Sequence, residues 1–206
     1  MADMAKLAEE RKKKPEEVRQ LLKDGNERFI SGKAQTKVLD AFQRRQQIVM
    51  QTPFAVVLGC SDSRVPVEIV FDQGPGDLFV VRVAGNVAET SALATVEFAI
   101  KYLNISAIVV LGHEGCSAVQ LAMGSWLNRM SEPTHVRNLI ESIVPALGSQ
   151  PETEEKERIR HAVQANVVHQ VERLRRTDPL GTKERAGELA LIPAYYEIAT
   201  GRVEFL

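Results

Sequence analysis

Two short segments hold the residues of this chain best suited to chemistry. Cys60-Ser-Asp-Ser-Arg64 offers a thiol, a carboxylate and a guanidinium. His113-Glu-Gly-Cys116 offers an imidazole and a second thiol. Zinc favours sulfur and nitrogen donors in a tetrahedral array, and a catalytic zinc keeps three protein ligands and leaves the fourth position to water or substrate. Cys60, His113 and Cys116 make such a set. The three-residue step from His113 to Cys116 puts both on one side of a first helical turn. A helix starting near Cys116 would favour its thiolate. With only two cysteines, a closed Cys-only or three-Cys site is impossible.

Charge gives Asp62 and Arg64 their interest. Zinc with two thiolates is about neutral, and such a centre acidifies bound water less readily than a three-histidine site does. A further group must orient the nucleophile. Asp62, two residues beyond a ligand, can accept its hydrogen bond, and Arg64 can hold Asp62 by a paired, charge-assisted contact. With Arg64 displaced, Asp62 becomes a fourth zinc ligand and closes the site. The cysteines alone leave other readings open: two inert buried thiols, one disulfide, or a redox pair.

The elements that must position these residues are legible as pattern. Pro15 suits the start of a helix, and Val18, Leu21, Leu22 and Phe29 fall on one face. A second helix is expected over about 38–50. Apolar runs predict strands at 54–58, 77–83, 105–111 and 189–194, with a last short strand at 203–206. Pro193 suits an edge or a strand end. Helices are expected over about 90–103, 117–130, 133–147 and 152–176. Alternating strands and helices predict an α/β fold, a mainly parallel sheet of about four strands plus a short C-terminal edge strand, flanked by helices, with projecting N-terminal helices. Ligands of open sheets bind beyond the carboxyl ends of the strands. Cys60 and His113 both follow strands at that end.

The bulk numbers exclude several classes. The chain has 206 residues, 44% apolar and 26% charged, which fits one soluble domain over 15–206 behind a charged arm at 1–14. A net charge of −1 gives no basic field for nucleic acid. No apolar stretch approaches the ~20 residues of a membrane helix. The charged start lacks the apolar core of a secretory signal, so a cytoplasmic address is expected.

Cys60-Ser-Asp-Ser-Arg64-Val-Pro with His113-x-x-Cys116 resembles the zinc site of the β-class carbonic anhydrases. The likeness runs from about Pro15 to Leu206. It includes Phe71-Asp-Gln-Gly-Pro-Gly-Asp-Leu-Phe79, Val80-Val-Arg-Val-Ala-Gly-Asn86 and Ala194-Tyr-Tyr-Glu-Ile-Ala-Thr-Gly-Arg-Val-Glu-Phe-Leu206. The resemblance implies Zn2+ on Cys60, His113 and Cys116, and a catalytic pair of Asp62 and Arg64. It implies reversible hydration of carbon dioxide to bicarbonate and a proton through zinc-bound hydroxide. It also matches Gln51, Phe79, Ala84, Phe98 and Ser117 to substrate-pocket positions. Homodimers or dimers of dimers are implied, with helices over 15–50 wrapped on a partner.

Two departures matter. Ser117 stands where many members have glycine. Val57 stands where one subgroup has a tryptophan that builds an inhibitory bicarbonate site with an arginine matching Arg82, so no such site is expected. Hydrolysis of carbonyl sulfide or carbon disulfide and a non-catalytic zinc-binding role are the alternatives. His135, His161 and His169 could relay protons, but each falls in a segment that reads as exposed helix.

Overall fold

Strand patterning is fulfilled first at the centre of the molecule, where β1 (Ala55–Gly59) and β3 (Ala107–His113) are buried along their whole length. A computed structural model describes residues 13–35, 38–148 and 151–206. Most of the charged arm expected at 1–14 lies outside the described residues. With β2 (Leu78–Arg82), β4 (Ala190–Tyr196) and β5 (Val203–Phe205) the strands form one sheet ordered β2-β1-β3-β4-β5. β1 to β4 run parallel, and β5 pairs antiparallel with β4.

The two-residue period of a strand explains why these runs are apolar without interruption. Val56, Leu58, Ile108 and Val110 pack on one face, with Val96 and Ile100 of α4 (Thr90–Tyr102) and Val167, Val171 and Leu174 of α8 (Glu155–Arg175). Val57, Val109 and Leu111 pack on the other face. There they meet Val18 and Leu22 of α1 (Pro15–Ile30) and Val67 and Val70 of the short α3 (Val67–Val70). Sheet faces covered on both sides leave no polar alternation to see.

Of the two N-terminal helices, α1 is docked on the body. Buried Asn26 donates to the carbonyls of Val70 and Gly201 and accepts from the Val203 N–H. The second, α2 (Ala41–Gln47), begins at an Asp40 cap and has no buried residue.

Three expectations from pattern are corrected, and two short helices are added. The helix expected over 117–130 is two, α5 (Ser117–Met123) and α6 (Trp126–Met130). Between them Gly124 ends one, and the Ser125 side chain accepts the Asn128 N–H to cap the next. The helix expected over 133–147 stops early as α7 (Thr134–Glu141), followed by a single 3-10 turn at Val144–Ala146 around Pro145. Neither α3 nor α9 (Leu180–Arg185) is evident from periodicity, since both are too short to show it. Pro193 is not on an edge strand. Nor is it at a strand end: it pairs with Val110 mid-way along β4 and lies one residue past the last rung of the β4–β5 ladder, where its carbonyl accepts the Leu206 N–H and its missing donor costs a single bond.

Helix α8 lies unusually close to β3. A Cβ on Gly112 would fall 2.5 Å from Val167 Cγ2 and 2.8 Å from Val163 Cγ1. Gly112→Ala should therefore overpack the interface by about 1–3 kcal/mol. Calorimetry should show a fall in Tm of roughly 2–12 °C.

Candidate metal centre

The strand order brings the chemistry to one place. From β1 the chain moves outward to β2, then crosses back to add β3 on the other side of β1. This reversal is the point where open sheets leave a crevice beyond the carboxyl ends. Cys60 directly follows β1, His113 is the last residue of β3, and Cys116 is the N-cap of α5. Gly115 makes the turn between the last two at φ 64°, with open space around it, so glycine serves conformation there and not packing.

The ligand atoms of Cys60, His113 and Cys116 all lie within 4.8 Å of one another, and all three residues are buried. The His113 ring is fully buried, and its Nδ1 lies 2.9 Å from the Glu114 carbonyl oxygen. That bond requires the proton on Nδ1 and leaves a lone pair on Nε2. Among the described residues Nε2 has no hydrogen-bond partner. An imidazole nitrogen stranded between two sulfurs fits a cation. Two sulfurs and a nitrogen suit zinc and not the oxygen-seeking magnesium or calcium.

The sulfurs are already poised. Cys60 is held far below the ordinary thiol range, first because the Cys116 thiol hydrogen-bonds to it. His113 and the main-chain N–H groups of Asp62 and Gly85 act in the same direction. The same contact with Cys60 holds Cys116 up, together with its burial. Neither cysteine is in a disulfide, which removes that reading.

Asp62 stands beside this cluster but turns to Arg64. Arg64 Nε donates to Asp62 Oδ1 at 3.0 Å and an Arg64 terminal nitrogen donates to Oδ2 at 2.7 Å, while the Arg64 main-chain N–H adds a bond to Oδ1 at 2.9 Å. These bonds hold the Asp62 carboxyl well below the usual carboxylate range, the Arg64 side chain contributing most. Asp62 Oδ2 lies 4.0 Å from His113 Nε2. Arg82 reaches across from β2 and donates to the carbonyls of Cys60 at 3.0 Å and Asp62 at 2.6 Å. It thereby fixes the loop that carries the candidate ligand Cys60 and the Asp62 carboxylate together. Val57 is fully buried in β1.

The pocket candidates are scattered in the single chain. Ala84 belongs to the 3-10 turn Ala84–Asn86, whose next residue, Gly85, donates its N–H to Cys60 Sγ at 3.3 Å. Ser117 opens α5 beside Cys116 and is exposed. Phe79 is half-buried against the α4–α8 face of the sheet. Phe98 is 48% exposed on α4, its ring 4.9 Å from that of Tyr102, and Gln51 is exposed ahead of β1. His135 and His161 are exposed. His169 is half-buried, and burial followed by the charges of Arg173 and Arg176 lowers its pKa.

Two contributors escape sequence reasoning. Gly85 acts through its main chain, which residue type does not reveal. Glu114 gives its carbonyl to His113, its N–H to the Tyr196 carbonyl, and its carboxylate to the Ala199 N–H and to Lys156. Its place between two ligand candidates was the available signal.

Comparison with known proteins identifies the family. A family profile described as carbonic anhydrase matches residues 55–203. The chain is 36% identical over 187 residues to carbonic anhydrase 2 of Mycobacterium tuberculosis, covering 88% of this chain and 87% of that protein. It is 37% identical over 186 residues to a carbonic anhydrase of Mycolicibacterium smegmatis, covering 89% of each. The solved β-carbonic anhydrase CcaA superposes with a TM-score of 0.73 at 26% identity, covering 92% of this chain and 98% of that one. One of two tetrameric β-carbonic anhydrases of Sordaria macrospora shares the fold, with a TM-score of 0.71 at 24% identity over 79% of this chain and 85% of that one. This chain belongs to the β-carbonic anhydrase family. The sheet and helices inferred from pattern are those of that fold. Among the described residues no helix is long and apolar enough to cross a membrane.

The Asp62–Arg64 pair has a defined pH signature. A depressed carboxyl pKa contributes stability that is complete above the unfolded value, about 3.9. It is lost as the pH falls through the lower folded value. The Asp62 carboxyl carbon, followed by NMR, should therefore stay unprotonated from pH 7 to about 4. In Arg64→Ala its midpoint should move up toward the ordinary aspartate value.

Proposed function

We propose that this chain hydrates carbon dioxide reversibly at a zinc ion held by Cys60, His113 and Cys116. When bound there, zinc supplies a Lewis acid that makes water a nucleophile near neutral pH. The rest of the reaction falls to side chains. Asp62 Oδ2 accepts a hydrogen from the attacking water and so aims a lone pair at the carbon of the substrate. Arg64 keeps Asp62 ionised and turned away from the three residues that would hold the metal. Main-chain N–H groups at Asp62 and Gly85 support negative charge on Cys60. The observation that carries this reading is the carboxylate 4.0 Å from the unpartnered His113 Nε2 and simultaneously paired to Arg64. A merely structural site has no use for a tethered carboxylate beside it.

The substrate pocket in this reading takes Phe79, Ala84 and Ser117 from the chain that holds the metal. Gln51 and Phe98, exposed in one chain, complete it where a second copy packs. The domain spans 15–206 and works as a homodimer, or a dimer of such dimers. What supports this is α2 with no buried residue, its own Phe42 left 68% exposed and Ile48 at its C-cap 83% exposed. The enzyme acts in the cytoplasm.

Purified protein should carry one zinc per chain by elemental analysis. Cys116→Ser should lose the metal. Zinc-loaded Asp62→Asn should retain the metal and lose about 10²-fold in kcat by stopped-flow hydration. Undiminished hydration in that variant overturns the role of Asp62. Faster sulfide release from carbonyl sulfide than carbon dioxide hydration would redirect the substrate assignment.

Ile48→Asp places a charge on the exposed apolar helix end. Light scattering after size exclusion should show the wild type as a dimer or larger and this variant as monomer. The monomer should hold zinc while its KM rises.

A further inference from the structure

Far along the chain from the ligands, α8 buries two carboxamides completely. Asn166 and Gln170 are both fully buried, one helical turn apart. Their bonds form a continuous line. The Ala88 N–H donates to Gln170 Oε1 at 2.9 Å, and Gln170 Nε2 donates to Asn166 Oδ1 at 2.9 Å. Asn166 Nδ2 then donates to the Gly85 carbonyl at 2.9 Å, and the Gly85 N–H donates to Cys60 Sγ at 3.3 Å. The two side chains thus grip both ends of the turn from Gly85 to Ala88.

That turn is held from outside as well as by its own bonds. Gly85 and Asn86 both take left-handed conformations, at φ 66° and 47°. Such a pair is uncommon and costs free energy at the non-glycine residue. Asn86 does not brace itself, because its own buried Nδ2 and Oδ1 have no partner among the described residues. Within the turn the Asn86 N–H donates to the Val83 carbonyl at 2.8 Å, and Asn166 holds the other side of that same peptide plane at the Gly85 carbonyl. Fixing the Gly85 carbonyl fixes the plane that follows, and through the constrained Gly85 dihedrals the N–H that precedes it.

We propose that Asn166, braced by Gln170, is a positioning residue for the metal centre: it aims the Gly85 N–H at Cys60 Sγ. An N–H donated to a metal-binding sulfur lowers the energy of the sulfur lone pairs and so limits their donation. Helix α8 thereby sets both the retention of the metal and the electron donation of one sulfur. This rests on the assignment of Cys60 as a ligand. The side chain of Asn166 acts only through Gly85.

Cobalt-loaded and zinc-loaded proteins test this. Asn166→Ala should shift the sulfur-to-cobalt charge-transfer band to longer wavelength and speed zinc loss to a chelator about 10-fold or more. Gln170→Met should do the same to a smaller degree. Leu174→Ala, buried on the same helix, should lower Tm without moving the band. An unmoved band and unchanged zinc loss in folded Asn166→Ala overturn the proposal. Cadmium-113 in the wild type gives a reading that no variant's folding affects. NMR should detect a coupling between the Gly85 amide proton and cadmium through the N–H···S bond, and its absence overturns the proposal. A wild type that binds none of these metals refutes instead the ligand assignment itself.

Discussion

One buried nitrogen without a partner sets the terms for this site. His113 Nε2 sits in a fully buried ring with its other nitrogen committed to the Glu114 carbonyl. A buried polar atom left unbonded costs about 1–3 kcal/mol. Among the described residues its neighbours are two sulfurs, and the one thiol proton there is directed from Cys116 to Cys60. Every nearby feature follows from this polarity. The sulfurs gather donors to themselves, the nitrogen presents a lone pair, and the space among them is suited to a soft cation and poorly suited to anything neutral.

In the proposed reading, the second requirement is to keep a carboxylate near the cation position without adding it to the ligand set. Distance alone would not suffice, since Asp62 is only two residues from Cys60. Arg64 supplies the competing partner, with three bonds from one residue to one carboxylate. A bidentate guanidinium is directional where an ammonium is not, so it fixes which way the oxygens face. Arg82 fixes the loop itself through carbonyls. Restraint of the backbone and restraint of the side chain are therefore separate. The carboxylate can be released from Arg64 without dismantling the loop.

Much of this was legible in the sequence, for identifiable reasons. Wholly apolar strands announce themselves by residue type, and their ends place Cys60 and His113 on one edge of the sheet. The donor set is legible because few groupings of cysteine and histidine suit anything but a metal. Helix interiors were harder. Periodicity carried across Gly124-Ser125, although glycine followed by a serine cap is a stop and a start. Pro193 misled because the sequence does not show which rung of a ladder lacks a partner. Tertiary main-chain contacts were out of reach altogether. Nothing in Gly85, Glu114 or Asn166 as letters says which peptide group touches a ligand. The exposure of Phe98 and Gln51 was equally hidden, because an apolar or polar residue near a site reads alike whether covered by its own chain or not.

The way the site is mounted bears on how metal and folding relate. In small zinc domains the ligands are the core, and the chain is unfolded without metal. Here the two apolar clusters that cover the faces of the sheet contain none of the three ligand candidates. Cys60 and Cys116 belong to a third cluster, where Val119, Ile140, Ile143 and Val163 already bury one another. The fold therefore supplies its own stability and presents the ligands from a preformed edge. A metal entering such an edge stabilises by mass action on an existing structure and does not create it. Two sheet faces of buried aliphatic side chains give a margin that lets helix α8 spend two buried amides on a turn that touches a sulfur.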